Sequence, residues 1–179
     1  MPSQDRNIAG KVSMLGLLLA LAVLMGYVEM LIPINLGFPG VKLGLANVVI
    51  LYVFYKRGTA DALLLSILRT LIIAALFTSP AMLLYSASGA AVSGLVMHCL
   101  KKTGLFSIYG VSAAGGTVHN ITQFVIAIVL SGSGAAWEYM LCFYLPLLLI
   151  AGEAAGLVNA VIVRSIMRKT GTPKPERKG

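Results

Sequence analysis

The chain has 179 residues, 58% of them hydrophobic and only 11% charged, and its mean hydropathy is +0.90. A soluble domain is about 45–50% apolar and about 25% charged, so 14 basic and 6 acidic side chains cannot cover a water-soluble enzyme of this size. Disorder is excluded by the same apolar excess, which leaves a one-domain integral membrane protein built from helices.

Read in chain order, the apolar runs predict six spans: Val12–Leu31, Val41–Tyr55, Ala60–Phe77, Pro80–Leu100, Val111–Leu130 and Tyr139–Ile166. The opening Met1-Pro2-Ser3-Gln4-Asp5-Arg6 precedes no short apolar core with a small-residue cleavage site, so the first run reads as a retained helix. Spans of about 18–21 residues suit a hydrocarbon core about 30 Å thick. The second run is short, about 15 residues or about 22 Å, and the long sixth carries Pro146 near its start, where either a kink or a start in the interface is expected. Breakers separate the runs: 33–40 after the first, Lys56-Arg57-Gly58 after the second, Ser79-Pro80 before the fourth, Gly104 after it, and Ser131-Gly132-Ser133-Gly134 after the fifth. The expected organisation is a cytoplasmic segment 1–11, a six-helix domain 12–168 and a basic tail 169–179.

Charge placement gives the orientation. Arg6, Lys11, Lys56, Arg57, Lys101, Lys102, Arg164, Arg168, Lys169, Lys174, Arg177 and Lys178 are twelve of the 14 basic residues. Six crossings put all of them on one side, and the positive-inside rule makes that side, with both termini, cytoplasmic. The net charge of +8 is thereby a topology signal with some attraction for anionic lipid, and nucleic acid is not an expected partner. The same topology puts Cys99 at the inner face and Cys142 in the outer half, too far apart for a disulfide.

Function is sought in the polar residues at membrane depth. Arg69 lies near the middle of the third span, Asn47 in the second, His119, Asn120 and Gln123 in the fifth, Glu153 and Asn159 in the sixth, and Glu29 near the end of the first. A charge at a helix centre costs about 2.5–3.5 kcal/mol on insertion scales, so Arg69 is expected to face the interior near an anion. Glu153, at similar depth, is its expected partner, either in a structural ion pair or with both groups addressing one ligand. Ser112, Gly116, His119 and Gln123 share a helical face. Small and polar stripes also run along the sixth span (Gly152/Glu153, Gly156, Asn159/Ala160) and the fourth (Ser86, Gly89/Ala90, Ser93, Met97). Three such helices can surround a polar pocket, although small residues also serve close packing alone. With only His98 and His119 and no cysteine pair, no haem, metal or other cofactor is expected.

The turn-rich stretch 33–42 before a short span is the pattern of irregular backbone lining a cavity. It is expected to form an outer lid, with Lys42 able to meet an anionic group or Glu29. In the first span, Gly16 with Ala20 and Ala22 with Gly26 form two small-x-x-x-small pairs, a candidate surface for a partner helix.

Several strings together resemble a known family: Ala20-Leu-Ala22-x-x-x-Gly26-Tyr27-x-Glu29, Pro39-Gly40-Val41-Lys42-Leu43-Gly44-Leu45-Ala46-Asn47, Arg69, Ser86-x-Ser88-Gly89-Ala90, His119-Asn120-x-x-Gln123 and Tyr144-Leu-Pro146-Leu. Over about residues 12–166 they resemble the bacterial Gx transporters, often labelled heptaprenyl diphosphate synthase component I. That family is similar to the S components of energy-coupling factor transporters. The resemblance implies an all-α, six-helix S-component-like bundle in the bacterial plasma membrane. It further implies a structured first outer loop, and a first helix docking on a coupling subunit served by separate ATPases.

The label itself meets a chemical test. Prenyl diphosphate synthases hold magnesium through clustered aspartates; this chain has only Asp5 and Asp61, and no two acidic residues within five positions. It is not expected to be a prenyltransferase alone, nor does it carry a nucleotide-binding loop. A non-catalytic membrane component of such a synthase, or of a quinone or flavin redox system, stays open beside the leading expectation. Ser88-Gly89-Ala90-Ala91 lacks the hydroxyl of a flavin-attachment motif. The leading expectation is an uptake protein for a small vitamin- or isoprenoid-like anion, bound by Lys42, Asn47, Arg69, His119, Asn120, Gln123 and Glu153.

Overall fold

A computed structural model describes residues 2–31, 44–77, 80–131, 138 and 140–171. Among these residues there is helix and no strand. The elements are α1 (Pro2–Leu31), α2 (Leu45–Lys56), α3 (Thr59–Phe77), α4 (Pro80–Thr103), α5 (Ile108–Ser131), a π-helical turn (Met140–Tyr144) and α6 (Leu145–Lys169). The stretch 33–42, including Lys42 and the expected lid, lies outside the described residues.

Helix ends follow local chemistry. α1 starts at Pro2, ahead of the apolar run that begins at Val12, and proline is tolerated in a first helical turn. Between α2 and α3 the chain reverses over Arg57 and Gly58, whose N–H groups both donate to the Val53 carbonyl at 2.8 and 3.1 Å. Gly58 has φ 114°, a conformation that a side chain would strain. Ser107 precedes α5 and accepts a 3.5 Å hydrogen bond from the Gly110 N–H. At the other expected irregularity, Pro146 falls in the first turn of α6, where proline breaks nothing. The deviation from α geometry is instead the π turn immediately before it.

Helices α2 to α6 form a ring in chain order, each beside the next, and α6 closes it against α2; α1 lies outside, against α2 and α3. Large apolar side chains point outwards along every long helix, Leu17 (72% exposed), Leu76, Leu95, Val129 and Ile150 among them. The fully buried positions are mostly small or β-branched: Ala22, Ala46, Val53, Val111, Ala160 and Val163. Such an apolar exterior is suited to lipid. Four stretches are long and apolar enough to cross a membrane, Ile8–Glu29, Thr59–Leu76, Ile108–Leu130 and Leu141–Lys169, and α2 is a shorter apolar helix.

The closest helix pair is explained by glycine. A Cβ on Gly116 would collide with the Gly152 carbonyl, one on Gly152 would lie 2.6 Å from the Gly116 carbonyl, and one on Gly156 would strike the Ser112 carbonyl. With the backbones this near, Ser112 Oγ donates to the Gly156 carbonyl and Asn120 Nδ2 to the Leu148 carbonyl, both at 2.7 Å. These are the small-residue contacts and interhelical polar bonds by which membrane helices associate.

Basic groups from several elements gather at one end of the bundle. Lys11 of α1 pairs with Asp61 of α3 at 3.0 Å, and Arg57 reaches the same carboxylate at 3.4 Å. Lys101 of α4 donates to the Phe54 carbonyl at 2.8 Å and lies 4.5 Å from the Phe54 ring centre. The negative π faces of Phe54 and Tyr55, with the carbonyl, take the place of water around this cation.

Candidate binding site

The short second helix starts inside the bundle. Twelve residues of α helix span about 18 Å, little more than half of a hydrocarbon core about 30 Å thick. Gly44, the residue before α2, lies against Asn159, fourteen residues into α6 and so about 21 Å from the start of that helix. An α-helix leaves its first N–H groups without partners inside the helix and carries partial positive charge there. In α2 that terminus is placed among other helices rather than at an aqueous surface.

Polar side chains converge on it. Gly44 is left-handed, with φ 75° and ψ 28°. A Cβ there would lie 3.1 Å from Asn159 Nδ2 and 3.4 Å from Asn47 Nδ2, so conformation and space both call for glycine. The Gly44 N–H donates to Oε1 of Glu29, which is buried. Asn159 is only 4% exposed, and its Oδ1 has no hydrogen-bond partner. Nε of Arg69, on the adjoining α3, is likewise buried without a partner. The carboxylate whose charge acts on that guanidinium is Glu29. The ion pairs among the described residues are those of Asp61 with Lys11 and Arg57, and neither engages Arg69. Unmet buried polar atoms are expensive; here one belongs to a side chain beside the α2 terminus and the other to the adjoining α3.

The expected pairing of Arg69 with Glu153 is therefore replaced by proximity to Glu29. Glu153 is exposed, because the neighbouring Gly152 and Gly156 turn the other side of α6 towards α5. A step of one residue rotates a side chain about 100° around the helix axis, enough to carry it outside.

A second polar group lies between α4 and α5. His119 Nε2 and Gln123 Nε2 are 3.0 Å apart. The His119 ring atoms Cε1 and Nδ1 are 3.0 Å, and Gln123 Cγ 3.2 Å, from where a Cβ on Gly89 would be. Gly89 thus opens the space that the imidazole fills. Asn120 differs from its neighbour: its amide is engaged by α6 as a clamp on the Leu148 carbonyl. Of the sequence-derived candidates, Asn47 is exposed but brings its amide to Gly44 at the α2 terminus, and Arg69 on α3 stands in the field of Glu29. His119 and Gln123 form the separate α4–α5 group, Asn120 holds helices together, and Glu153 faces outwards. Gly44, Glu29 and Asn159 complete the first group; their sequence signals were a glycine in the run 39–47 and two polar residues in apolar spans.

The two small-residue pairs of α1 also separate. A Cβ on Gly16 would meet nothing within 4 Å, and Ala20 is exposed beside it. Ala22 is fully buried in the core, while Gly26 lies against Ile73 of α3 and Ala46 of α2. Only the first pair is open to a partner.

An all-helical, multi-pass membrane protein with a polar centre is the class that this fold and site define. The chain belongs to the family described as heptaprenyl diphosphate synthase component I, whose pattern matches residues 18–166. No curated protein and no solved structure matches it. The description "component I" implies a partner component.

Proposed function

We propose that the protein is an S-component-like binding subunit for a small anionic ligand, vitamin- or isoprenoid-like, in the bacterial plasma membrane. It makes six crossings with both termini in the cytoplasm, and a separate coupling subunit and ATPases drive uptake. The observation that carries this reading is a pair of buried polar atoms without partners, Asn159 Oδ1 on a side chain beside the N-terminus of α2 and Arg69 Nε on the adjoining α3. Guanidinium and backbone N–H groups are the donors that bind phosphate and carboxylate. Membrane transporters use interrupted helices in the same way, aiming half-helix N-termini at anionic substrates. Asn47, Arg69 and Lys42 are the residues that hold the anion in this reading, and His119 and Gln123 supply a separate polar contact. The exposed Gly16–Ala20 surface of α1 receives the coupling subunit.

A second reading rests on the family description: a non-catalytic membrane subunit of a prenyl diphosphate synthase. Gentle purification, mass spectrometry of retained small molecules and identification of retained proteins separate the two. Recovery of an anionic small molecule together with an ATPase module supports uptake. Recovery of a soluble prenyltransferase without ATPases overturns it in favour of the synthase subunit.

A further inference from the structure

The donors at the α2 terminus are not idle. Glu29 already places a carboxylate oxygen on the Gly44 N–H, and its charge acts on Arg69. We propose that Glu29 is an internal stand-in for the ligand: its carboxylate fills the anion position when the site is empty, and the ligand's oxyanion replaces it there. This rests on the anion-binding reading above and adds a competitor to it.

Three observations support the exchange. Glu29 and Gly44 are 15 positions apart in the chain, so their hydrogen bond ties the end of α1 to the start of α2. The bond leaves unmet capacity: Asn159 Oδ1 and Arg69 Nε both lack partners while buried, so Glu29 satisfies the site only in part. An oxyanion with more acceptor atoms than a carboxylate can engage Gly44, Asn47 Nδ2 and Arg69 together, and a protonated ligand oxygen can donate to Asn159 Oδ1. Gly44 and Asn159 are both buried, so the anion position is closed off from the outer surface of the bundle.

The exchange keeps a negative group beside the buried guanidinium in both states, which explains how the site stays folded without ligand. It also fixes the sign of a mutation. Glu29→Gln keeps an acceptor for the Gly44 N–H but removes the competing charge, so the anion position becomes more attractive.

The test uses the full chain, purified in an uncharged detergent, with inorganic diphosphate as the probe and isothermal titration as the readout. Glu29→Gln is expected to bind diphosphate at least about tenfold more tightly than wild type, from loss of one like charge close to the anion. Arg69→Gln is expected to abolish binding in both backgrounds. Equal or weaker binding by Glu29→Gln, no binding by either protein, or tight binding that survives Arg69→Gln overturns the proposal. A measurement on wild type alone covers a variant that fails to fold. An apolar carbodiimide should modify Glu29 several-fold faster when diphosphate is present, with exposed Glu153 as an unchanged reference; unchanged or slower modification of Glu29 contradicts displacement. Failure here alongside recovery of a ligand and ATPases removes only the stand-in role, whereas success here with no such recovery removes only the transport reading.

Discussion

Gly116→Ala is the sharpest perturbation of the α5–α6 contact. The added Cβ meets the Gly152 carbonyl, a backbone atom that can yield only if the helices move apart. Overpacking of this kind typically costs about 1–3 kcal/mol. Separation also stretches the Ser112–Gly156 and Asn120–Leu148 bonds, both 2.7 Å; at about 0.6 kcal/mol each in a membrane protein, that adds roughly 1 kcal/mol. Alanine returns about 1 kcal/mol through its better helix propensity. The net expectation is a loss of about 1–3 kcal/mol. Gly16→Ala is the matched control, since its Cβ meets nothing within 4 Å, and it should be neutral or stabilising by up to about 1 kcal/mol. Unfolding by sodium dodecyl sulfate in mixed micelles, followed by helical circular dichroism, measures both. Equal midpoints for the two variants would refute the packing argument, because the propensity gain is common to both and only the collision differs.

Three further outcomes follow from the same geometry. Asn120→Ala should lower stability by about 0.6 kcal/mol, up to about 1.7, while leaving ligand affinity within twofold; equilibrium dialysis with the recovered ligand checks this, and a tenfold loss would return Asn120 to the binding site. Asn159→Leu should leave stability unchanged or improved, since it removes a buried acceptor without a partner, yet weaken ligand binding at least about tenfold; retained affinity would remove Asn159 from the site. The native cysteines, both free and exposed, report topology: in intact cells an impermeant maleimide should label Cys142 and spare Cys99, and labelling of Cys99 alone would invert the proposed orientation.

The helices themselves were legible because apolar runs at membrane length leave little choice of structure, and the shortness of α2 was visible as a run too short to cross. That Arg69 faces inwards also follows from cost alone. Its neighbour did not. Depth along α6 made Glu153 the natural partner, but depth is only one coordinate, and the glycines at 152 and 156 decide rotation by pressing their own side of α6 against α5. Glu29 looked peripheral because it stands near the end of the first apolar run; it meets Gly44 because α2 begins deep in the bundle. His119 and Asn120 illustrate the same limit within one turn. Adjacent polar residues point about 100° apart, so one turns to Gln123 and Gly89 and the other to the backbone of α6. The α1 pairs share a spacing but not a role, since spacing says that a helix can approach and not whether its own chain supplies that helix.

The central claim is that the α2 terminus and Arg69 form the place where an anionic ligand is held. Its most direct test is quantitative mass spectrometry of small molecules retained by wild type and by Arg69→Gln, purified side by side and matched for helical content. The account predicts an anionic compound at near-stoichiometric amount in wild type and at less than about a tenth of that in the variant, the tenfold that about 1.4 kcal/mol represents. Equal recovery from the two proteins would contradict it.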